Sequence, residues 1–212
     1  MVTSTVAIVQ HRIYDAALKL FAEKGTARLT VRELADAAGV ARGTIYNHCC
    51  SMTQLFEQVT AQLAQEMQER IVAALGTTGD PAQQLAHGIR IFVRRAHDEP
   101  HWGRFITRFA VNEPTLQTLW HGPLMLNLQQ GVSAGRYELT DEQIMSASAL
   151  CGSAVLAAIL LVLEGHRTYR AAGSEFAEMT LRSLGLPCEH AHALAHTALP
   201  ELPPLPATDS SA

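Results

Sequence analysis

The sequence predicts an all-α protein, with an N-terminal three-helix domain of helix-turn-helix layout and a larger C-terminal helical bundle. Apolar residues recur at helical spacing along almost the whole chain, and no strand-like alternation competes with that pattern. Capping boxes and glycines mark the starts and ends of these apolar stripes. The chain has 212 residues, 48% of them hydrophobic, which is enough for one domain with a sizeable core, or for one small and one larger domain.

The first helices are predicted from one apolar stripe and two local stop signals. The stripe covers residues 9–21 and ends before Gly25. Thr30 and Glu33 form a capping box, in which the threonine oxygen and the glutamate side chain satisfy backbone N–H groups of the first turn. The short helix that follows ends at Gly39, and another short helix covers residues 41–48.

The later helices follow the same signals. A second capping box, Ser51 to Gln54, opens a long helix that ends at Gly76, and Asp80 with Pro81 starts the next helix. Further helices are expected at residues 102–110, from residue 114 with a bend at Pro123, and at 143–163, 174–185 and 189–199. Ser174 is the expected N-cap of the helix at 174–185.

These elements suggest three parts of the chain. Residues 1–52 form the helix-turn-helix domain, residues 53–200 form the larger helical domain, and residues 201–212 are a Pro/Ser-rich tail that we expect to be disordered.

The stretch 143–163 has no charged residue and is long enough to cross a bilayer, which takes roughly 20 apolar residues. Acidic Glu142 and Glu164 flank it, without the Lys/Arg cluster that orients membrane spans. We therefore predict a helix of a folded domain, buried on nearly all sides, rather than a membrane span.

Charge and cysteine content also constrain the function. The net charge is −4, but residues 1–56 carry six basic and four acidic side chains, which indicates a polyanion partner at that end. No secretory signal precedes the four cysteines, so we expect free thiols in the cytoplasm.

Two short helices joined at residues 37–40 have the layout of a helix-turn-helix, whose second helix enters the DNA major groove. That helix reads ARGTIYNH, residues 41–48. Arg42 can donate two hydrogen bonds to guanine, and Asn47 can bond adenine bidentately. Thr44, Tyr46 and His48 can reach phosphates or thymine methyls, and Gly43 allows close approach of the backbone.

Residues 13–56 resemble the DNA-binding domain of TetR-family transcriptional regulators. The resemblance lies in AALKLFAEKG, LTVRELADAAGV, GTIYNH and the capped helix after them. It implies a DNA-facing set at matching positions: Thr30, Arg32, Arg42, Gly43, Thr44, Tyr46, Asn47 and His48. The rest of the chain is similar only in layout to the family's variable helical domain, which binds a small effector and dimerises.

Two positions depart from the family pattern. Cys49 stands where the family usually has an aromatic residue, and Met52 stands where it usually has a lysine that contacts a phosphate. Loss of that lysine should remove about one unit from the salt dependence of DNA binding. These departures leave an alternative: a helical ligand- or partner-binding protein whose DNA-binding head is weakened or lost.

The resemblance implies an effector pocket in the middle of the larger domain, although its aromatic residues could equally be simple core. The predicted pocket residues are Met67, Phe92, Trp102, Phe105, Phe109, Trp120 and Cys151. Their character favours an apolar or amphipathic small molecule. Five arginines, at 90, 94, 95, 104 and 108, could instead recognise an anionic effector; a solvated face paired with Asp98, Glu99 and Glu113 is the favoured interpretation.

Small residues on the uncharged helix predict a dimer interface. Ser148 and Gly152 are four residues apart, as are Ala154 and Ala158, and small side chains at this spacing let helices approach closely. A homodimer would also match a near-palindromic operator with two half-sites.

Metal binding is not predicted. His48, Cys49 and Cys50 are consecutive, so their side chains point about 100° apart on a helix and cannot close around one ion. His192 and His196 have a spacing that can bind a metal, but the sequence offers no carboxylate-rich partner, so solvated or interface histidines are favoured.

The sequence shows no nucleophile–base pair, phosphate loop or metal-spaced cluster, and we therefore predict neither an enzyme nor a cofactor. The function predicted is a cytoplasmic, homodimeric repressor that a small apolar or amphipathic effector releases from its DNA operator.

Overall fold

The computed structural model describes residues 2–26, 29–76 and 79–202, and all regular elements in these residues are helical, as predicted. The tail predicted to be disordered lies mostly outside the described residues. A short 3₁₀ turn, Asp141–Gln143, precedes α9. The helices are α1 Val2–Lys24, α2 Val31–Ala38, α3 Arg42–His48, α4 Met52–Leu75, α5 Pro81–Asp98, α6 Pro100–Phe109, α7 Pro114–His121, α8 Pro123–Ser133, α9 Ile144–Leu163, α10 Tyr169–Ser183 and α11 Cys188–Ala195.

The capping box that opens α2 forms as predicted. The backbone N–H of Glu33 donates to Thr30 Oγ1 at 3.3 Å, and the backbone N–H of Thr30 donates to Glu33 Oε2 at 3.0 Å. Lys24 Nζ lies 2.5 Å from Glu33 Oε1. The hydrogen bonds from Lys24, and then those from Thr30, lower the pKa of Glu33 to about 2. Local sequence therefore fixes the start of this helix and ties it to the end of α1.

The turn between α2 and α3 depends on Gly39, whose φ of 63° lies in the left-handed region that favours glycine. Arg12 Nη2 of α1 donates to the Gly39 carbonyl oxygen at 3.0 Å, which holds the turn against the first helix. Ile45 of α3 is fully buried and packs the inner face of that helix into the head. The opposite face of α3 is thereby left to solvent.

One predicted capping box forms only in part, and two of the predicted helix boundaries are wrong. In the capping box at Ser51, the backbone N–H of Gln54 donates to Ser51 Oγ as predicted. The second bond is missing, because Gln54 Oε1 accepts from the backbone N–H of Cys50 and not from that of Ser51. The bend predicted at Pro123 is a break between α7 and α8 at Gly122. The helix predicted from Ser174 begins at Tyr169, capped by Thr168, and Ser174 is buried within it.

The core of the larger domain lies where α5, α9 and α10 pack on one another, and α6 and α8 add to it. The head joins this body through α1, which packs on α6 and α4. Arg108 of α6 strengthens that junction by donating to the carbonyl oxygens of Ala22 and Glu23, each at 3.3 Å.

Within the described residues, one helical stretch, Asp141–Leu163, is long and apolar enough to cross a membrane, a test that the core helix of a soluble protein also passes. It packs on α5, α6, α8 and α10. It is not buried on nearly all sides as predicted, because Met145, Leu150 and Leu160 are exposed.

Candidate functional site

The outer face of α3 presents polar side chains away from the protein. Arg42 and Asn47 are exposed, and Tyr46 is 62% exposed although it is a large aromatic residue. A Cβ added to Gly43 would meet no atom within 4 Å. Because packing inside the chain does not require a glycine here, the open backbone is free for close approach to a ligand.

The other predicted DNA-facing residues border this face. Thr44 and His48 are half-buried on α3, so they lie at its edges. Thr30 and Arg32 are exposed at the start of α2, where Arg32 Nε lies 3.8 Å from Asp36 in an exposed ion pair. The fold thus brings the start of α2 and the outer face of α3 onto one head.

The joint between α3 and α4 contains the two departures from the family pattern. Cys49 is buried with Sγ 3.5 Å from the Ile45 carbonyl oxygen, so it fills the core position of the expected aromatic. Burial, and then the neighbouring Cys50, raise the pKa of Cys49. Met52 is half-buried against the core in the first turn of α4, while Cys50 is exposed.

A cavity of about 470 Å³ opens in the larger domain between α4, α5, the α7–α8 junction and α9. The described residues that line it carry no formal charge, and Gln68, Gln84, Asn127 and Gln130 supply its polar groups. The main apolar lining residues are Ile71, Val72, Leu75, Leu85, Ile89, Phe92, Leu119, Trp120, Pro123, Leu124, Leu126, Cys151 and Val155. Such a lining suits a neutral, mostly apolar molecule.

Of the predicted pocket residues, Phe92, Trp120 and Cys151 line the cavity, and the rings of Phe92 and Trp120 lie 5.2 Å apart. Burial raises the pKa of Cys151 to about 12, so it remains a neutral thiol in the cavity wall. The other predicted residues, Met67, Trp102, Phe105 and Phe109, do not line it.

Those other residues form the junction between head and body. Phe56 of α4 lies 5.2 Å from Phe21 of α1, 5.7 Å from Phe105 and 5.0 Å from Phe109 of α6, measured between ring centroids. Trp102 is buried below the guanidinium of Arg95, which also donates to the sulfur of Met67 at 3.3 Å. The aromatic residues of α6 therefore pack into the core of the protein and do not line the cavity.

Sequence reasoning missed the part of the cavity wall contributed by α4 and by the α7–α8 junction. One signal of the cavity was present on α5: Gly88 lies inside this helix, where glycine costs about 1 kcal/mol relative to alanine. A Cβ at Gly88 would meet no atom within 4 Å, and this glycine lines the cavity. Packing therefore does not require a glycine at this position, and the absence of a side chain enlarges the cavity.

The arginines near α5 and α6 are not a uniformly solvated face. Arg94 pairs with Asp98 at 3.5 Å, but Arg90 donates to the Thr197 carbonyl oxygen at 2.8 Å and Arg95 is buried in ion pairs with Glu66 and Glu99. Arginine does not occur among the described lining residues of the cavity, which argues against an anionic effector held by these side chains.

The small residues predicted at a dimer interface mainly pack within the protomer. Ser148 Oγ donates to the Trp120 carbonyl oxygen at 3.0 Å, and a Cβ on Gly152 would lie 3.3 Å from the Trp120 ring. Ala158 is fully buried and Ala154 is half-buried. Small side chains on α9 thus let α7 approach, because the indole of Trp120 needs that space.

The head and the cavity together define a helix-turn-helix regulator with a separate ligand-binding body. Residues 80–197 match the model of the tetracyclin repressor-like C-terminal domain, and residues 13–59 match the model of bacterial regulatory proteins of the tetR family. Because the first match covers more than half of the chain, the chain belongs to the TetR family. The members of this family are regulators, in agreement with the prediction that the chain is not an enzyme.

Known proteins support the same assignment. The protein named "Probable acrEF/envCD operon repressor" of Escherichia coli is 38% identical over 115 residues, which are 53% of this chain and 47% of that protein. The chain therefore spans about half the length of this curated relative.

Solved structures share the fold. The crystal structure of RolR in complex with resorcinol has a TM-score of 0.70 and 24% identity, over 95% of this chain and 100% of that chain. FadR from Bacillus subtilis in complex with stearoyl-CoA has a TM-score of 0.69 and 18% identity, over 81% and 97% of the two chains. At these identities the likeness shows the fold alone.

Proposed function

We propose that this protein is a homodimeric transcriptional repressor, located in the cytoplasm, that a neutral small molecule releases from its operator. The observation that carries the proposal is the placement of α4. Its first turn follows the DNA-reading helix at the Ser51 cap, and its second half lines the cavity with Gln68, Ile71, Val72 and Leu75. A single helix of 24 residues thus connects the two sites.

The head has the chemistry to read a duplex. The proposed DNA-facing residues are Thr30, Arg32, Arg42, Gly43, Thr44, Tyr46, Asn47 and His48, with Arg42 and Asn47 as the residues that discriminate between bases. Met52, in the first turn of α4, packs against the core and lacks the ammonium group of the expected lysine, whereas the polar residues of the outer α3 face are all present. Relatives that are named as repressors also favour this function over a protein whose head has decayed.

The effector is proposed to be neutral and largely apolar, with one or two hydrogen-bonding groups. A cavity of about 470 Å³ lies in the size range of small-molecule sites, and its amide side chains can bond hydroxyl or carbonyl groups. RolR, which shares the fold, binds resorcinol, a small neutral ring compound, and this makes resorcinol a reasonable first probe.

The dimer is proposed to form through the exposed apolar face of α9 and α10. Met145, Leu150 and Leu160 of α9 and Met179 of α10 are large apolar side chains that are between 44% and 58% exposed. Covering such a face in a second copy removes apolar surface from water. Two heads would then be held at a fixed distance, as two half-sites one helical turn apart require.

The ligand releases the dimer from DNA if it binds more tightly to the conformation whose head spacing does not fit the operator. A molecule in the cavity pushes against the second half of α4, whose first turn carries the reading head. A ligand can shift the equilibrium only by its difference in affinity for the two spacings.

The coupling is tested by titrating neutral ring compounds, resorcinol first, into the complex of the protein with DNA from its own promoter region. We expect that a compound that binds the cavity lowers DNA affinity, and that Gly88→Leu, which fills the cavity, abolishes this response. A compound that binds the wild-type cavity and leaves DNA affinity unchanged would contradict the proposal.

A further inference from the structure

Two histidines at the end of α11 lie apart from both the reading head and the cavity. His192 and His196 are four residues apart, and their ring centroids are 4.2 Å from each other. The sequence showed no carboxylate-rich partner for them, but the fold supplies a carboxylate, because α10 brings Glu178 to the same place. One ligand-type atom from each of these three residues lies within 4.8 Å of the others.

Hydrogen bonds define which ring nitrogen of each histidine holds a lone pair. Nδ1 of His192 lies 2.9 Å from Glu178 Oε2, and an ionised carboxylate can only accept, so Nδ1 carries the hydrogen. Nδ1 of His196 lies 2.9 Å from the His192 carbonyl oxygen, which also can only accept. In the neutral rings, both lone pairs therefore reside on Nε2.

This arrangement matches that of metal-ligating histidines, which almost always donate their other ring N–H to a carboxylate or a backbone carbonyl. One acceptor of each kind is present here, so both rings are oriented before an ion arrives. The side chain of His192 is 62% exposed, and an ion can reach it from solvent. Arg182 reaches only the other oxygen of Glu178, at 3.9 Å, and leaves Oε2 to His192.

We propose that His192 and His196 bind a divalent transition-metal ion through their Nε2 atoms, with Glu178 as the positioning residue for His192. Imidazole nitrogen suits zinc, copper and nickel. Two protein ligands leave the remaining positions to water, so the ion exchanges with solvent instead of being permanently held.

Such an ion would fix the C-terminal end of α11 on the body. Thr197, which follows His196, accepts a hydrogen bond from Gln83 Nε2 at 2.9 Å and lies 3.0 Å from His87 Nε2, both on α5. Metal binding at the two histidines therefore orders a segment that already joins α11 to α5. The expected result is a metal-dependent increase in thermal stability.

The test is calorimetric titration of the full chain with Zn²⁺. It is done in a Cys50→Ser/Cys188→Ser background, because these exposed thiols could bind zinc themselves. We expect one ion per protomer and a rise in Tm on adding Zn²⁺. His192→Ala and His196→Ala should each weaken binding at least about tenfold, and Glu178→Gln about 10- to 100-fold, as loss of an outer-shell partner does.

His190→Ala is the matched control, because His190 is an exposed histidine on the same helix outside the cluster. Its zinc affinity should equal that of the background protein, and circular dichroism checks that all variants are folded. The proposal is overturned if the background protein binds no zinc, if binding survives the double change of His192 and His196 to alanine, or if His190→Ala loses as much affinity as they do.

Discussion

Arg95 of α5 and Glu66 of α4 form an ion pair in the interior of the protein, with side chains only 2% and 8% exposed. Arg95 also pairs with Glu99 at 3.1 Å, and its guanidinium lies 4.5 Å from the centroid of the Trp102 ring. Arg70 joins the same cluster, 3.4 Å from Glu66 and 3.2 Å from Glu99. The cluster ties α4, the helix that connects head and cavity, to α5.

Breaking this pair should be costly because it removes the buried partner of Glu66 and leaves that buried carboxylate with Arg70, at 3.4 Å. Arg95→Met alone is expected to lower the free energy of unfolding by about 3–5 kcal/mol. The double variant Arg95→Met/Glu66→Leu should lose clearly less than the sum of the two single changes, because it removes both members of the pair and leaves Arg70 and Glu99 paired at 3.2 Å. Denaturant unfolding measures all three variants, and additive losses would show that the pair does not act as a unit.

The glycines of α3 and α5 should separate the two functions. Gly43→Ala and Gly88→Ala each add a Cβ that meets no atom within 4 Å, so neither should destabilise the fold. Gly43→Ala is expected to weaken DNA binding without changing ligand affinity. Gly88→Ala is expected to do the reverse, because its Cβ enters the cavity, and each variant is thus the control for the other in paired DNA and ligand titrations. The same loss in both assays from either variant would refute the assignment.

Met52→Lys should restore one phosphate contact. A lysine stem can cover the apolar surface that Met52 now covers while its ammonium reaches solvent. We expect tighter DNA binding and a salt dependence that is steeper by about 0.9 in log–log slope, measured by fluorescence anisotropy. Gln62→Lys adds the same charge to an exposed position about 15 Å further along α4. An equal gain from both changes would point to net charge rather than to a specific contact.

Thiol reactivity should differ sharply between the cysteines. Cys49 and Cys151 are buried and their pKa values are raised by that burial, so at pH 8 they remain thiols; Cys50 and Cys188 are exposed. An alkylating reagent should therefore modify Cys50 and Cys188 first, as read by mass spectrometry.

Modification of Cys50 should also weaken DNA binding, since its backbone N–H bonds to Gln54 at the joint behind the reading helix. A Cys50→Ser variant, labelled only at Cys188, is the control and should keep its DNA affinity. Full labelling of Cys50 with unchanged affinity would mean that this joint does not affect docking.

The head was predictable because its signals are local. The bonds of the Thr30 capping box and the left-handed Gly39 depend on residues within a few positions of each other. The boundary near Ser174 was mistaken because serine is a good N-cap in isolation, whereas the helix already begins after Thr168. Because Thr168 caps the helix more than one turn earlier, Ser174 lies inside the helix and does not serve as its N-cap.

The cavity and the His192 cluster depend on long-range packing. Periodicity showed that Phe105 and Phe109 face inward but not that they meet Phe56 instead of the cavity. In the same way, the partner of His192 lies 14 residues earlier, on another helix. The packing of the helices decides which of the inward-facing residues line a cavity. That packing cannot be read from the periodicity of a single sequence.

The central claim is that the outer face of α3 reads an operator, and DNA binding at low salt tests it most directly. The measurement compares wild type, Arg42→Ala/Asn47→Ala and the charge control Arg170→Ala, an exposed arginine of α10, on labelled DNA from the protein's own promoter region. We predict that wild type and the control bind with two protomers per operator. The α3 variant should lose about 2 kcal/mol or more, since each good base contact contributes about 1–3 kcal/mol of discrimination. Absence of any shift by the wild-type protein, or equal binding by the α3 variant, would contradict the account.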